Sequence, residues 1–473
     1  MAIGPDPKGA VRALNRFGLG ARPGDLMLAS QDPRGFVLDE LMKTDSALLP
    51  AGDLPTTPLA LQQVYLDNQQ KKMERERATA APPTEAAPAA VTPDGKPAAQ
   101  PKPEPSPEQK IFQAEALARF KKQLAAGCGI SERLVAFWSN HFAVSVSKSG
   151  HLRVAAGPME REAIRPRARA KFYDLLRAVE THPAMILFLD NQRSVGPNAP
   201  AGRFAGRGLN ENLAREILEL HTLGVDGGYT QTDVTEFAKV ITGWSVAEPE
   251  SEIGQPGGFV FKANWHEPGP RVILGKAYPQ QGKDQGEAVL LDLSRGTATA
   301  KHLAFKLARH FVADNPPPAL VELLTRRFID TEGDIGEVMR ALVLDDRAWA
   351  PEATKLRSPL ELVVASARAI GFSPPEPGPF LHPLNLLGQP LWQPNGPNGF
   401  PDVTAAWASP EAMKMRLDLS AQFAGRAHDE PLAVLETVAG PTASHETRQA
   451  IERAESKKQA LAILFMSPEF QRR

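Results

Sequence analysis

Between Gly208 and Gly224 the sequence Gly-Leu-Asn-Glu-Asn-Leu-Ala-Arg-Glu-Ile-Leu-Glu-Leu-His-Thr-Leu-Gly sets Glu211, Arg215, Glu216, Glu219 and His221 at helical spacing between a cap and a stop. Asn210 is a natural helix cap and Gly224 a natural stop. At about 100° per residue, Leu213, Ala214, Ile217, Leu218 and Leu220 fall on one side, with His221 among them. Glu211, Asn212, Arg215, Glu216, Glu219 and Thr222 fall on the other. Glu211 to Arg215 and Arg215 to Glu219 are each four apart, a spacing at which opposite charges support a helix by a few tenths of a kcal/mol. An exposed salt-bridge ladder explains that much. It does not explain Glu216 and Glu219, like charges three apart, because like charges held close have a cation, a proton or a substrate between them. Paired carboxylates are the minimum for splitting a glycosidic bond. On this reading Glu216 and Glu219 are the acid and base candidates, Arg215 orients them, Glu211 belongs to the same catalytic group, and Asn212 contacts the substrate.

Three further places offer substrate contacts. Phe137-Trp138-Ser139-Asn140-His141-Phe142 brings aromatics and two hydrogen-bonding groups to one helix end. Trp265 and His266 sit between two β-like runs, and Trp392, Asn395 and Asn398 occupy an irregular loop that presents them. Together with Trp244, the tryptophans supply flat faces on which sugar rings stack, so the first expectation is a hydrolase directed at a glycan or another small molecule. A variant has Glu211, Glu219 and His266 gripping a divalent metal ion, with ligand types that suit magnesium, manganese, calcium or zinc. A reading from a different class makes the protein a non-catalytic binding or assembly protein, its charged helix an internal ion network bracing a bundle. Whether Glu216 and Glu219 face an open cleft or a packed interior separates these readings.

The elements that must position these groups are mostly helical. Helical patterns recur over 7–43, 57–79, 108–126, 130–142, 172–179, 182–191, 232–244 and repeatedly from 285 onward. Phe259-Val260-Phe261 and Val272-Ile273-Leu274 are the clearest β signals and predict one small hairpin near 257–276. Residues 80–107 are almost wholly Ala, Pro, Glu, Lys, Thr and Gln, too apolar-poor to offset the entropy of ordering. They predict a disordered insert at the tip of a helical hairpin. The expected fold is therefore mainly α, a large helical-bundle-like architecture. Its N-terminal helical part is 1–79, the insert 80–107 and the helical core 108–473. Arg161, Arg165, Arg167 and Arg169 form a basic cluster whose simplest place is a solvated face.

With 473 residues, a formal charge of −1 and no basic stripe, the chain carries no nucleic-acid footprint. Its single cysteine, Cys128, forms no internal disulfide and belongs to no zinc motif. No apolar run is long enough for a membrane span or a signal peptide, so a soluble, cytoplasmic protein is expected.

Several motifs in order carry a family resemblance: Arg16-Phe17-Gly18-Leu19-Gly20-Ala21-Arg22-Pro23-Gly24, the 137–142 hexapeptide, 209–216 with 219–224, Thr242-Gly243-Trp244, and Gln389 through Pro401. Together they resemble the bacterial family known as the domain of unknown function numbered 1800, over nearly the whole chain outside the insert. The resemblance implies a largely helical bacterial protein. It also implies a partner of the family numbered 1501, which resembles sulfatases and phosphatases, and an exported location for many relatives. It assigns no reaction.

Overall fold

Short polar side chains followed by proline punctuate the chain into helices. Asp32, Ser106, Ser358 and Ser409 each accept a backbone N–H at a helix start, with proline at the next position, where its missing N–H costs nothing. The computed structural model describes residues 5–50, 52–80, 104–201 and 208–473. Among them the chain forms 22 α-helices and is 61% helical, the mainly α architecture that the sequence predicts. Residues 81–103 of the expected insert lie outside the described residues. Helix Thr57–Ala80 leads toward them, helix Pro107–Ala125 leaves them, and both pack on helix Gly150–Met159.

The main hydrophobic core runs from Ala13 to Phe470, and a small second cluster gathers Ala10, Leu14, Ala21 and Ala29. Buried arginines tie distant segments together across it. Arg16 donates to the carbonyls of Ala348 at 2.9 Å and Ala350 at 2.6 Å, and Arg368 to those of Gly20 at 2.8 Å and Ala126 at 2.7 Å. The basic cluster at 161–169 is not the solvated face that its composition suggests. Arg165 is 2% exposed and lies between Glu132, at 2.7 Å, and Glu160, at 2.9 Å, while Arg119 reaches Glu160 at 3.0 Å. Two carboxylates close enough to repel each other need cations between them, and Arg165 and Arg119 meet that need.

The β structure differs from the predicted single hairpin. Phe259–Phe261 pairs with Trp244–Val246, and Arg271–Ile273 with Lys276–Tyr278, as separate antiparallel ribbons. The first partner is concealed in the sequence because Trp244 directly follows a helical pattern. Gly243, at φ +81°, makes the switch, and a Cβ there would lie 2.6 Å from the Lys262 carbonyl oxygen. The second ribbon turns through Leu274 and Gly275, both at positive φ as a two-residue hairpin of this hand requires. Asp233 accepts the Leu274 N–H at 2.7 Å and helps hold that non-glycine residue in place.

Three π-turns among the described residues, Ala13–Phe17, Glu160–Ile164 and Ile217–Thr222, each carry a polar side chain into the interior: Arg16, Glu160 and His221. The extra residue per turn shifts the helical face locally, a device frequent at functional sites.

Candidate functional site

The charged helix is α-helical only over Asn212–Glu216 and then widens into the π-turn Ile217–Thr222. Asn210 Oδ1 accepts the Asn212 N–H at 2.9 Å, while the Asn212 side chain is exposed. Its carboxylates divide between two surroundings. Glu211 accepts from Thr235 Oγ1 at 2.7 Å, from Gln231 Nε2 at 2.8 Å and from Arg215 at 3.1 Å, and those hydrogen bonds hold it below the usual carboxylate range. Arg215 also donates to Gln231 Oε1 at 2.9 Å, so these groups brace the helix against helix Gln231–Val240. Glu219 accepts from the Tyr229 hydroxyl at 2.9 Å. Glu216 is half-buried and makes no side-chain hydrogen bond among the described residues. Burial, reinforced by Glu219, raises its pKa.

The back of this helix meets a different assembly. A helix end leaves carbonyls without intrahelical partners, and here histidines satisfy two of them. His302 Nε2–H donates to the Leu220 carbonyl at 3.2 Å, and His141 Nε2–H to that of His221 at 3.1 Å. Gly224, at φ +89°, closes the turn, and a Cβ there would lie 2.9 Å from His302 Nδ1. With Nε2 protonated, His141 offers the lone pair of Nδ1, which accepts from Lys306 Nζ at 2.9 Å. His221 itself is fully buried, its Nδ1 2.8 Å from Glu180 Oε1.

Lys306 and His141 border a cavity of about 220 Å³. Helix Thr297–Phe311 supplies one wall. His302, Lys306 and His310 recur every fourth residue along one side of it, while Leu303, Leu307 and Phe311 are buried in the core. Helix Ile130–His141 supplies Arg133, Asn140 and His141, and the 389–403 segment supplies Asn398, Phe400 and Asp402. Asn140 fastens that segment at two points, donating to the Phe400 carbonyl at 2.9 Å and accepting the Phe400 N–H at 2.7 Å. Gly399 permits the approach. Its φ is +72°, and a Cβ would stand 2.4 Å from the Asn140 carbonyl oxygen.

The clamp delivers Asp402. Its Oδ2 accepts from His310 Nδ1 at 2.8 Å, and its Oδ1 lies 2.8 Å from Lys355 Nζ. Burial works to raise the Asp402 pKa, yet His310, Lys355 and Arg473 hold it well below the usual carboxylate range. Burial lowers the pKa of His310, so at neutral pH the pair is a carboxylate and a neutral imidazole. Its Nδ1–H is committed to Asp402. Its Nε2 is a lone-pair nitrogen, shielded from solvent and without a hydrogen-bond partner among the described residues. Burial also brings Lys306 down to about 8, against the opposing pull of Asp402, and His302 down to about 4. A carboxylate-oriented imidazole and an amine near its titration point, one helical turn apart, can exchange protons with a bound molecule.

Of the residues singled out in the sequence, Asn140, His141 and Asn398 meet at this cavity. The others lie elsewhere. Trp138 and Trp244 are fully buried, and Trp138 Nε1 donates to the Ala168 carbonyl at 3.0 Å. The 391–401 loop does not present Trp392, which is 8% exposed with Nε1 donating to Glu160 at 3.1 Å. Asn395 is exposed, and the half-exposed Trp265 carries the Lys262 ammonium 4.2 Å above its ring. His266 and Glu267 are buried rather than carried on an open tip: His266 Nδ1 is 3.2 Å from the Thr242 carbonyl oxygen, and Glu267 accepts from Asn198. Among the described residues no group of three or more His, Cys, Asp or Glu side chains is placed to hold a metal ion. Lys306, His310 and Asp402 stand outside the motifs read from the sequence. The four-residue recurrence of His302, Lys306 and His310 was the available signal, and Asp402 directly follows the 389–401 motif.

Among the described residues no helix is long and apolar enough to cross a membrane. No curated protein and no solved structure matches the chain. Residues 12–472 match the family described as protein of unknown function (DUF1800), and the chain belongs to that family.

Proposed function

We propose that the protein is a hydrolase whose water-activating base is His310, oriented by Asp402, with Lys306 as the proton donor or charge stabiliser. The observation that carries this reading is the 2.8 Å His310 Nδ1–Asp402 Oδ2 hydrogen bond in the wall of the cavity that Lys306 also lines. Asp402 fixes the tautomer and leaves the Nε2 lone pair unengaged among the described residues, the role such a carboxylate plays for a histidine base. Because Nε2 is closed to solvent in this structure, it takes a proton from water after substrate binding shifts the cavity wall to admit that water. Lys306 can return a proton to the leaving group, since its partner His141 accepts through Nδ1 only. The walls admit a small molecule or the end of a larger one, and a glycan terminus is one such substrate. A partner of the family numbered 1501 belongs to the same proposal, and co-purification from the native host tests it.

Hydrolysis of a panel of chromogenic carboxylic esters, phosphate monoesters and glycosides tests the activity. Turnover of at least one class is expected, and His310→Asn, which keeps a donor toward Asp402 but removes Nε2, should lower it by about 10²-fold or more. No turnover, or turnover indifferent to His310→Asn, would overturn the reading.

A second reading places glycosidase chemistry on Glu216 and Glu219. Glu216 supports it, because a half-buried carboxyl with a raised pKa and, among the described residues, no side-chain hydrogen bond suits a general acid. Glu216→Gln would then abolish turnover of the glycosides alone.

A further inference from the structure

We propose that the cavity binds an oxyanion, a carboxylate or phosphate monoester group of its ligand, between Lys306 and Arg309. This rests on reading the cavity as the functional site and names the chemistry of what enters it.

The charges in the cavity wall are unevenly matched. Lys355 lies 3.1 Å from Asp314 and 2.8 Å from Asp402. Arg133 and Arg473 share Glu361 at 3.0 and 2.9 Å. Asp402 is further engaged by His310. The cavity's carboxylates are thereby committed, and two cations remain. Among the described residues Lys306 has only the neutral His141 as a hydrogen-bonding partner. Arg309 donates Nε–H to the Asp314 carbonyl at 3.0 Å and lies over the Phe305 ring at 4.3 Å, while its terminal nitrogens make no hydrogen bond among the described residues.

Lys306 and Arg309 are three apart on one helix, a spacing at which like charges repel. Both line the same cavity. An anion between them converts that repulsion into two charge-assisted contacts, a planar guanidinium fork and an ammonium, the pairing that suits carboxylates and phosphates. Arg309 and His302 on the same helix, His141 opposite and Asp402 from the loop are the titratable or charged groups that bear on Lys306. Asp402 is the only anion among them, and it is already engaged by the Lys355 ammonium and the His310 Nδ1–H. The ammonium form of Lys306 binds the anion, so affinity should fall as pH rises through the region near 8.

Isothermal titration of the full chain with inorganic phosphate and, separately, with succinate tests this. Saturable binding of one of them is expected, and which one saturates identifies the group. Arg309→Gln and Lys306→Gln should each weaken it roughly tenfold or more, and affinity should decline between about pH 7 and pH 9.5 in the wild type but not in Lys306→Gln, as the amine's titration requires. Circular dichroism checks that both variants fold. No binding of either anion, or binding indifferent to both substitutions, would overturn the proposal. His310→Asn separates the two claims. If it leaves hydrolysis intact while anion binding still depends on Lys306 and Arg309, the catalytic reading fails and the anion site stands. If it abolishes hydrolysis in a protein that binds neither anion, the converse holds.

Discussion

Glu216 and Lys306 show how position alone decides what an ionisable residue contributes. Both belong to helices, yet burial pushes the Glu216 carboxyl up and the Lys306 ammonium down, in each case favouring the neutral form. For Glu216 the sign of the stability effect follows directly. A carboxyl whose folded pKa is raised above its unfolded value weakens the fold at pH above that folded value, and the penalty disappears below the unfolded value. Glu216→Gln should therefore keep or raise the melting temperature at pH 7, and the difference should close as the pH falls below about 4.3. A drop of several degrees at pH 7 would mean that the carboxylate is held by an ion pair. At this scale the sequence was half legible. Asn140, His141 and Asn398 could be chosen because aromatic and turn residues frame them. Lys306 and His310 look like ordinary helix surface, since nothing local in the sequence tells of the carboxylate that meets His310 from 92 residues away.

At the scale of elements, the cavity depends on one tight approach, the loop at Gly399 against the end of helix Ile130–His141. Gly399→Ala places a Cβ 2.4 Å from the Asn140 carbonyl oxygen and asks an L-residue for a φ of +72°. The left-handed backbone alone costs about 1–2 kcal/mol, and relief of the clash must move Asp402. The expected result is a lower melting temperature together with loss of anion binding, measured on the same preparation. Unchanged binding would show that the clamp does not position the site. The helices themselves were readable from period and caps. The π-turns were not, because an inserted residue breaks the period on which the reading relies. The strand Trp244–Val246 was concealed by its continuity with helix Gln231–Val240, so its pairing with Phe259–Phe261 took the place of the expected hairpin.

For the molecule as a whole, the buried ion network matters more than any surface ladder. Arg165 holds Glu132 and Glu160 where all three are 2% exposed or less. Arg165→Met strands Glu132 and leaves Glu160 paired with Arg119, and should destabilise the fold by about 3–5 kcal/mol. Thermal or urea unfolding measures it, and a loss below about 1 kcal/mol, the level of an exposed pair, would contradict the network's role. Burial would raise the Glu160 pKa, but Arg119, Arg165 and Trp392 lower it overall. A depressed folded pKa contributes stability that is present above the unfolded value near 4.3 and lost as pH falls through the folded one. The wild type should therefore lose stability on acidification below about pH 4.3 in part through Glu160. Such a network is illegible in sequence because its members come from three helical segments, and a run of arginines near a helix end looks the same whether it faces water or the core.

The central claim is that the chemistry lies at the His310–Asp402 cavity and not on the exposed side of the charged helix. The most direct test is the hydrolysis rate of whichever panel substrate turns over, measured side by side for wild type, His310→Asn and Glu216→Gln. A loss of about 10²-fold or more is expected in His310→Asn, with a near wild-type rate in Glu216→Gln. Full activity in His310→Asn with none in Glu216→Gln would contradict it and return the site to the carboxylate pair.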